Sequence, residues 1–210
     1  MIRVLVADDH AVVRKGLTQI LSDTENIRVV GEAPNAAEAV RLLRQTPCDV
    51  LLMDVAMPGK NGIEAIKIIK DEFPQLKVLI LSMYPADQFG VRALKAGAAG
   101  YLTKDCAPDV LVEAVERIMS GKRYITEDLA ELLAESMGPA SEIPPHQMLS
   151  DREFQTLRLI ASGKKLSEIA STLALSPKTV SVYRTRLLEK MRLSNNAELT
   201  HYAIKHGLVD

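Results

Sequence analysis

Five side chains in the first half of the sequence could carry one piece of chemistry if the fold gathers them. They are the carboxylates of Asp8, Asp9 and Asp54, the hydroxyl of Ser82 and the ammonium of Lys104. Each stands where a short apolar run ends, in Val-Leu-Val-Ala-Asp8-Asp9, Leu-Leu-Met-Asp54, Leu-Ile-Leu-Ser82 and Gly-Tyr-Leu-Thr-Lys104. Three crowded carboxylates repel one another, and one is driven to take up a proton unless a cation is present. Hard oxygen ligands with room for water suit Mg²⁺. With such an ion held, one carboxylate can attack phosphorus while the lysine and the hydroxyl bind the other phosphoryl oxygens. Phosphoryl transfer requires little beyond that positioning and charge neutralisation. Any one of these acids alone reads as a solvated turn residue; their joint placement on strand ends does not.

The elements that must position them are legible. Arg3–Ala7, Arg28–Glu32, Val50–Met53, Val78–Leu81 and Gly100–Leu102 read as strands, most of them without apolar/polar alternation, as expected for strands covered on both faces. Helical patterns lie between and after them, over Val12–Ser22, Ala36–Gln45, Gly62–Glu72, Asp87–Ala96 and Pro108–Ser120. Five βα units predict an α/β doubly wound five-stranded parallel sheet. In such a sheet ligands bind beyond the carboxyl ends of the strands, near the switch point of strand order. Pro47, Pro58-Gly59, Pro74 and Pro108 fall at the expected loops and helix ends.

From Lys122 to Met148 the character changes. Thr126 can cap a short helix to about Ser136 carrying Leu129, Leu132 and Leu133, and Met137 to His146 reads as a linker. From Leu149 to the end there are four helical patterns and no strand. Ser150 with Glu153 is a capping box, Gly163 ends that helix, and Ser167 is expected to cap the next. Ser176-Pro177 opens the third, to about Met191, and Asn195-Asn196 precedes the last. An all-α four-helix domain is predicted.

The net charge of −1 conceals an asymmetry: residues 146–210 hold ten basic and six acidic side chains, whereas 1–121 hold fourteen and sixteen. A basic end on a near-neutral body suits a polyanion. Aromatic residues are 4% and Trp is absent, so the cores must be aliphatic. No apolar run reaches the roughly 18 residues a membrane span needs, and two acids interrupt the N-terminal apolar run where a signal peptide would continue it. A cytoplasmic protein is expected. Cys48 and Cys106, far apart and without ligand spacing, read as inert thiols.

The set Val-Ala-Asp8-Asp9-His10, Met-Asp54-Val-Ala56-Met-Pro58-Gly59, Leu-Ser82 and Gly-Tyr101-Leu-Thr-Lys104 resembles the receiver domains of two-component response regulators across residues 1–121. The resemblance implies that Asp54 is the phosphoacceptor. It also implies that Asp8, Asp9 and Asp54 hold Mg²⁺ with the Ala56 carbonyl, that Ser82 and Lys104 bind the phosphoryl group, and that Tyr101 is a switch rotating inward with Ser82. The serine departs from the threonine common in that family, losing a methyl but keeping the donor. Ala56 has no side chain to orient an attacking water, so the aspartyl phosphate is not expected to be unusually short-lived. A nucleophilic-Asp phosphatase would need a second acid in an Asp-x-Asp pattern, and Asp54-Val55-Ala56 lacks it. A dinucleotide enzyme would need Gly-x-Gly-x-x-Gly after the first strand, and none is present.

In the basic third helix, Val180, Leu187 and Met191 share one face, with Leu188 beside them. Lys178, Ser181, Val182, Thr185 and Glu189 fall on another. Exposed hydroxyls and a Val methyl flanked by Arg184 and Arg186 suit base edges between phosphates. Leu149-Ser-Asp-Arg-Glu153, Ile169-Ala170, Leu175-Ser176-Pro-Lys-Thr179-Val180 and Glu189-Lys190-Met191 resemble a LuxR-type helix-turn-helix, and with the receiver the chain is similar to NarL/FixJ response regulators. The resemblance implies a recognition helix over Pro177–Met191 in the major groove. Ser181, Val182 and Thr185 would read bases, and Lys178, Thr179, Tyr183, Arg184 and Arg186 would meet phosphates. Ser181 stands where some relatives carry Lys, so fewer direct charge contacts are expected. It further implies dimerisation through Asn196–His206, a sensor histidine kinase as phosphodonor, operator DNA and RNA polymerase as partners, and no membrane. The alternative is a phosphorylation-independent DNA-binding regulator using the receiver as a dimerisation scaffold. The expected layout is a receiver over 1–121, a linker with a short helix over 122–148 and the DNA-binding domain over 149–210.

Overall fold

The computed structural model describes residues 1–57, 62–136 and 144–209. The Pro58-Gly59 loop and residues 137–143 of the expected linker lie outside the described residues. Two compact units divide at Ser136 and Met137.

The first unit alternates strands and helices: β1 (Ile2–Ala7), α1 (Ala11–Ser22), β2 (Ile27–Ala33), α2 (Ala36–Gln45), β3 (Val50–Met53), α3 (Gly62–Glu72), β4 (Lys77–Ser82), α4 (Ala86–Lys95), β5 (Gly100–Thr103) and α5 (Pro108–Met119). The strands form one parallel sheet in the order β2-β1-β3-β4-β5, so strand order reverses between β1 and β3. All four residues of β3, and Val78–Ser82 of β4, are buried, which is why these runs carry no alternation. Leu17 and Leu21 of α1 join Leu111, Val115 and Ile118 of α5 over one face of the sheet. A large share of that core is Val, Ile and Leu.

A sixth helix, α6 (Glu127–Glu135), follows a bridge from Tyr124 back to Gly100. The Thr126 hydroxyl accepts from the Leu129 amide at 3.4 Å, as its sequence position predicts. Leu129 is fully buried against Gly90 of α4; a Cβ at Gly90 would lie 2.6 Å from a Leu129 methyl. At the other end, Lys95 donates to the Ser136 carbonyl at 3.4 Å. This helix therefore packs within the first unit.

The second unit contains a 3-10 turn over Pro145–Met148 and four helices, α7 (Asp151–Ala161), α8 (Leu166–Thr172), α9 (Pro177–Met191) and α10 (Asn196–Lys205). Phe154, Leu157, Ile169, Val180, Leu187, Leu199 and Ala203 form its core. The Ser150–Glu153 capping box is present at α7. Ser167 is not the cap of α8: Lys165 holds that position, two residues earlier, and Glu168 reaches back to the Lys165 amide at 2.7 Å. No side chain caps the first-turn amides of α8, and the Glu168 carboxylate also answers the positive end of the helix. Among the described residues no helix is long and apolar enough to cross a membrane.

Candidate functional site

Strand register brings the acids level. Ala7 pairs with Met53 across β1 and β3, so Asp8 and Asp54 leave adjacent strands one residue later. The Asp54 amide donates to the Ala7 carbonyl at 2.9 Å, fixing that exit. On the far side Ser82 pairs with Thr103, and the Lys104 amide donates to the Ser82 carbonyl at 2.8 Å. Lys104 thus starts two strands from Asp54, about 10 Å at normal strand spacing, a distance that only a long side chain spans. Between them stands Ser82, small and fully buried.

Lys104 completes that span. Its Nζ lies 2.7 Å from Asp54 Oδ2 and 2.6 Å from Asp8 Oδ2, with all three side chains at most 6% exposed. Burial works against the ammonium, but its hydrogen bonds to Asp54 and Asp8 prevail and hold its pKa above the ordinary lysine value. For Asp54 the balance is opposite. Burial pushes its carboxyl above the usual range, and neither the Lys104 hydrogen bond nor the Ala56 amide at 3.1 Å offsets it. One ammonium faces two buried carboxylates, so the pocket is short of positive charge.

Asp9 is partly exposed, yet its Oδ1 is buried and has no hydrogen-bond partner. Ligand atoms from Asp8, Asp9, His10 and Asp54 all lie within 4.8 Å of one another. Three carboxylates, a charge deficit and an orphaned oxygen fit a hard divalent cation.

Two features here escaped the sequence reading. Gly62, first in α3, lies so close to the end of β3 that a Cβ would sit 2.7 Å from the Asp54 carbonyl and from Val55 Cα, both backbone. Arg14 of α1 donates to the Asp8 carbonyl at 2.6 Å, bracing the chain beneath the acids. A glycine opening a helix and an arginine six residues beyond Asp8 were the available signals, and neither is specific.

From Ser82 a chain of contacts runs to α4 and α6. Ser82 Oγ accepts from the Tyr84 amide at 3.2 Å, and the Tyr84 carbonyl accepts from the Tyr101 hydroxyl at 2.7 Å. The ring of Tyr101 is 1% exposed, already inside rather than turned to solvent. Tyr84 and Phe89 of α4 pack with ring centroids 5.1 Å apart, and Gly90 next in α4 receives Leu129 of α6.

In the second unit α9 starts with Ser176 accepting from the Thr179 amide at 3.1 Å and Pro177 in the first turn. It ends at Arg192 in the left-handed conformation, φ 55°. Val180, Leu187 and Met191 are buried as expected. Lys178, Ser181, Val182, Thr185 and Arg186 are exposed, and Thr179, Tyr183 and Arg184 are half-buried. Arg184 donates Nε to Asn196 Oδ1 at 2.6 Å, which ties α9 to the start of α10. Thr185 donates to the Ser181 carbonyl at 3.1 Å, so its hydroxyl has one bond within the helix. Lys190 joins Glu153 of α7 at 2.7 Å and anchors the opposite side.

The cysteines are free and half-buried. Burial pushes the Cys48 thiol up to about 11, which leaves it inert.

Residues 4–116 match the family described as response regulator receiver domain, and residues 147–203 match the bacterial regulatory proteins of the luxR family. The chain is similar to the response regulator GacA of Pseudomonas aeruginosa, 41% identical over all of this chain and 99% of that protein. It is also similar to the response regulator UvrY of Escherichia coli K12, 43% identical over 99% of this chain and 96% of that one. Among solved structures, RcsB from Salmonella enterica serovar Typhimurium, bound to promoter rprA in the presence of phosphomimetic BeF3-, superposes with a TM-score of 0.67. It is 30% identical, covering 96% of this chain and 98% of that one.

Proposed function

The chain belongs to the NarL/FixJ family of response regulators, with a receiver domain followed by a LuxR-type DNA-binding domain, and on that premise we propose that Asp54 is its phosphoacceptor and that phosphorylation governs operator binding as a dimer. The observation that carries this reading is Lys104 lodged between Asp8 and Asp54 across an intervening strand. An ammonium in that place would bind a phosphoryl oxygen once Asp54 is esterified.

A carboxylate oxygen of Asp54 attacks phosphorus of a histidine kinase phosphoimidazole or of a small phosphodonor, and the imidazole or donor carboxylate departs with the electron pair. Asp8, Asp9 and Asp54, with the Ala56 carbonyl, would hold Mg²⁺, which when bound neutralises phosphoryl oxygens. Lys104 turns from paired carboxylates to the new phosphoryl group, and Ser82 supplies a hydroxyl. This self-directed transfer is the only reaction proposed, so the protein is not a conventional enzyme. Because Tyr101 is already buried beside Tyr84, phosphorylation would hold this arrangement by drawing on Ser82, and α4 would convey the change to α6. The effect is a population shift between two arrangements.

The proposed layout is a receiver over 1–121, a connecting segment over 122–148 and a DNA-binding domain over 149–210, acting in the cytoplasm. Ser181, Val182 and Thr185 would read base edges, with Lys178, Thr179, Tyr183, Arg184 and Arg186 at the backbone and α10 pairing two copies. RNA polymerase is the expected further partner at the promoter.

Intact mass after incubation with acetyl phosphate and Mg²⁺ tests the reading. One phosphoryl adduct in wild type and none in Asp54→Asn is expected, with tighter operator binding by the modified protein. No adduct in a folded, Mg²⁺-binding wild type would overturn it in favour of phosphorylation-independent binding.

A further inference from the structure

Arg184 leaves α9 from the wrong side to meet DNA unaided. Val180, Arg184, Leu187 and Met191 follow one another at spacings of four, three and four, so Arg184 lies on the stripe whose other members are buried. Its side chain is half-buried, whereas Ser181, Val182, Thr185 and Arg186 are exposed. An arm that starts beside the core reaches a phosphate only if something bends it outwards and keeps it there.

Asn196 is placed to do this. It is the first residue of α10, and its Oδ1 accepts from Arg184 Nε at 2.6 Å. The helix does not need that side chain for its own start. Asn195 caps α10 by accepting from the Glu198 amide at 3.0 Å, and Glu198 reaches back to the Ser194 amide at 2.7 Å. The chemistry of the acceptor is informative too. Arg3, Arg41 and Arg44 each meet a carboxylate, which offsets the guanidinium charge. Asn196 is neutral, so it holds Arg184 and leaves the charge in place for an anion.

We propose that Asn196 is a positioning residue for DNA binding, holding Arg184 by Nε so that its Nη1 and Nη2 ends meet a backbone phosphate. The inference rests on the reading of Arg184 as a phosphate contact, and it names what directs that contact. Fixing a long side chain before DNA arrives removes part of the cost of ordering it on binding. Lysine cannot stand in for Arg184, because an ammonium has no second edge by which it can be held.

The test titrates the full chain, treated with acetyl phosphate and Mg²⁺, with a random-sequence DNA duplex at several salt concentrations. Asn196→Ala should weaken binding about threefold to tenfold. It should also lower the slope of log affinity against log salt, towards the loss of about one per protomer expected of Arg184→Ala. Added to Arg184→Ala or Arg184→Lys, it should change affinity by less than about twofold, whereas added to Arg186→Ala it should act in full. The thermal midpoint of the second unit should not move, since Asn195 still caps α10. If Asn196→Ala is equally costly in every background, or lowers that midpoint along with affinity, Asn196 only braces α10 and the inference is overturned. Arg184→Ala with affinity and slope unchanged, while Arg186→Ala still lowers both, overturns it together with the reading of Arg184 and leaves the rest of the DNA-binding face standing. No binding of the duplex by wild type at low salt overturns the inference and the whole reading of the second unit.

Discussion

Asp54→Asn should make the first unit more stable at neutral pH when no divalent cation is present. Asp54 and Asp8 lie within 4.8 Å of one another at their ligand atoms, which at an effective dielectric of 20 is a repulsion of about 3.5 kcal/mol. Lys104 at 2.7 Å returns about 6 kcal/mol to Asp54 on the same scale. Removing a carboxylate from water costs several kcal/mol more. The sums nearly cancel, and burial prevails, since the Asp54 carboxyl is held above its usual range. An incompletely compensated buried polar group costs about 1–3 kcal/mol, so the asparagine should gain stability on that order, a rise of several degrees in the midpoint of a unit of this size.

The dependence on pH fixes the sign. Because the folded pKa exceeds the unfolded one, folding favours the neutral acid. The burden is absent below the unfolded pKa and grows as pH rises towards the folded value. Calorimetry of the full chain in chelator at pH 7.5 should show the gain in one of two transitions, and at pH 3.5 it should shrink towards zero. Saturating Mg²⁺ at a hundred times its Kd should then stabilise wild type by about 2.7 kcal/mol and the variant by much less, reversing their order. An asparagine variant no more stable than wild type at neutral pH, or a gain that persists unchanged in acid, would refute the argument.

Glu153→Gln should do the reverse in the second unit. Burial alone would raise that carboxyl, but hydrogen bonds from Lys190 and Ser150 hold it below its usual range. Its contribution is therefore present at neutral pH and lost as pH falls through the folded pKa; calorimetry should show a loss of about 1–3 kcal/mol at pH 7.5 that closes in acid. Leu129→Ala should release α6 without unfolding the sheet: hydrogen exchange over Glu127–Glu135 should quicken at least about tenfold while β3 and β4 stay protected, and unchanged protection of α6 would show that Leu129 does not hold it. Arg186→Ala should weaken DNA binding about equally on all sequences and lower the slope of log affinity against log salt by about one per protomer, whereas Ser181→Ala should alter sequence preference with the slope intact. A titration of operator and random duplex at several salt concentrations separates the two.

The strands were legible because both faces of β3 and most of β4 are covered, which forces unbroken apolar runs, and parallel strands require the helical segments between them. The acids were legible for a related reason: an apolar run that ends on a carboxylate marks the place where the chain leaves the sheet. Closeness was not legible. Lys104 meets Asp54 only because Met53 is level with Ile80 and Ser82 with Thr103, and register between parallel strands is settled by packing rather than by spacing along the chain. The same holds where one backbone must admit another. Gly62 reads as a weak helix start until the end of β3 is seen 2.7 Å from its missing Cβ, and Gly90 reads as a defect in α4 until Leu129 fills the space. These are positions where a local preference was given up for a long-range fit, and a sequence scan scores only the local side of that exchange. Substituting alanine at Gly62 forces a side chain into the main chain that carries Asp54, whereas at Gly90 it meets only the movable end of a leucine. The first glycine is therefore bound to the chemistry of the pocket, and the second to how firmly α6 is held on α4.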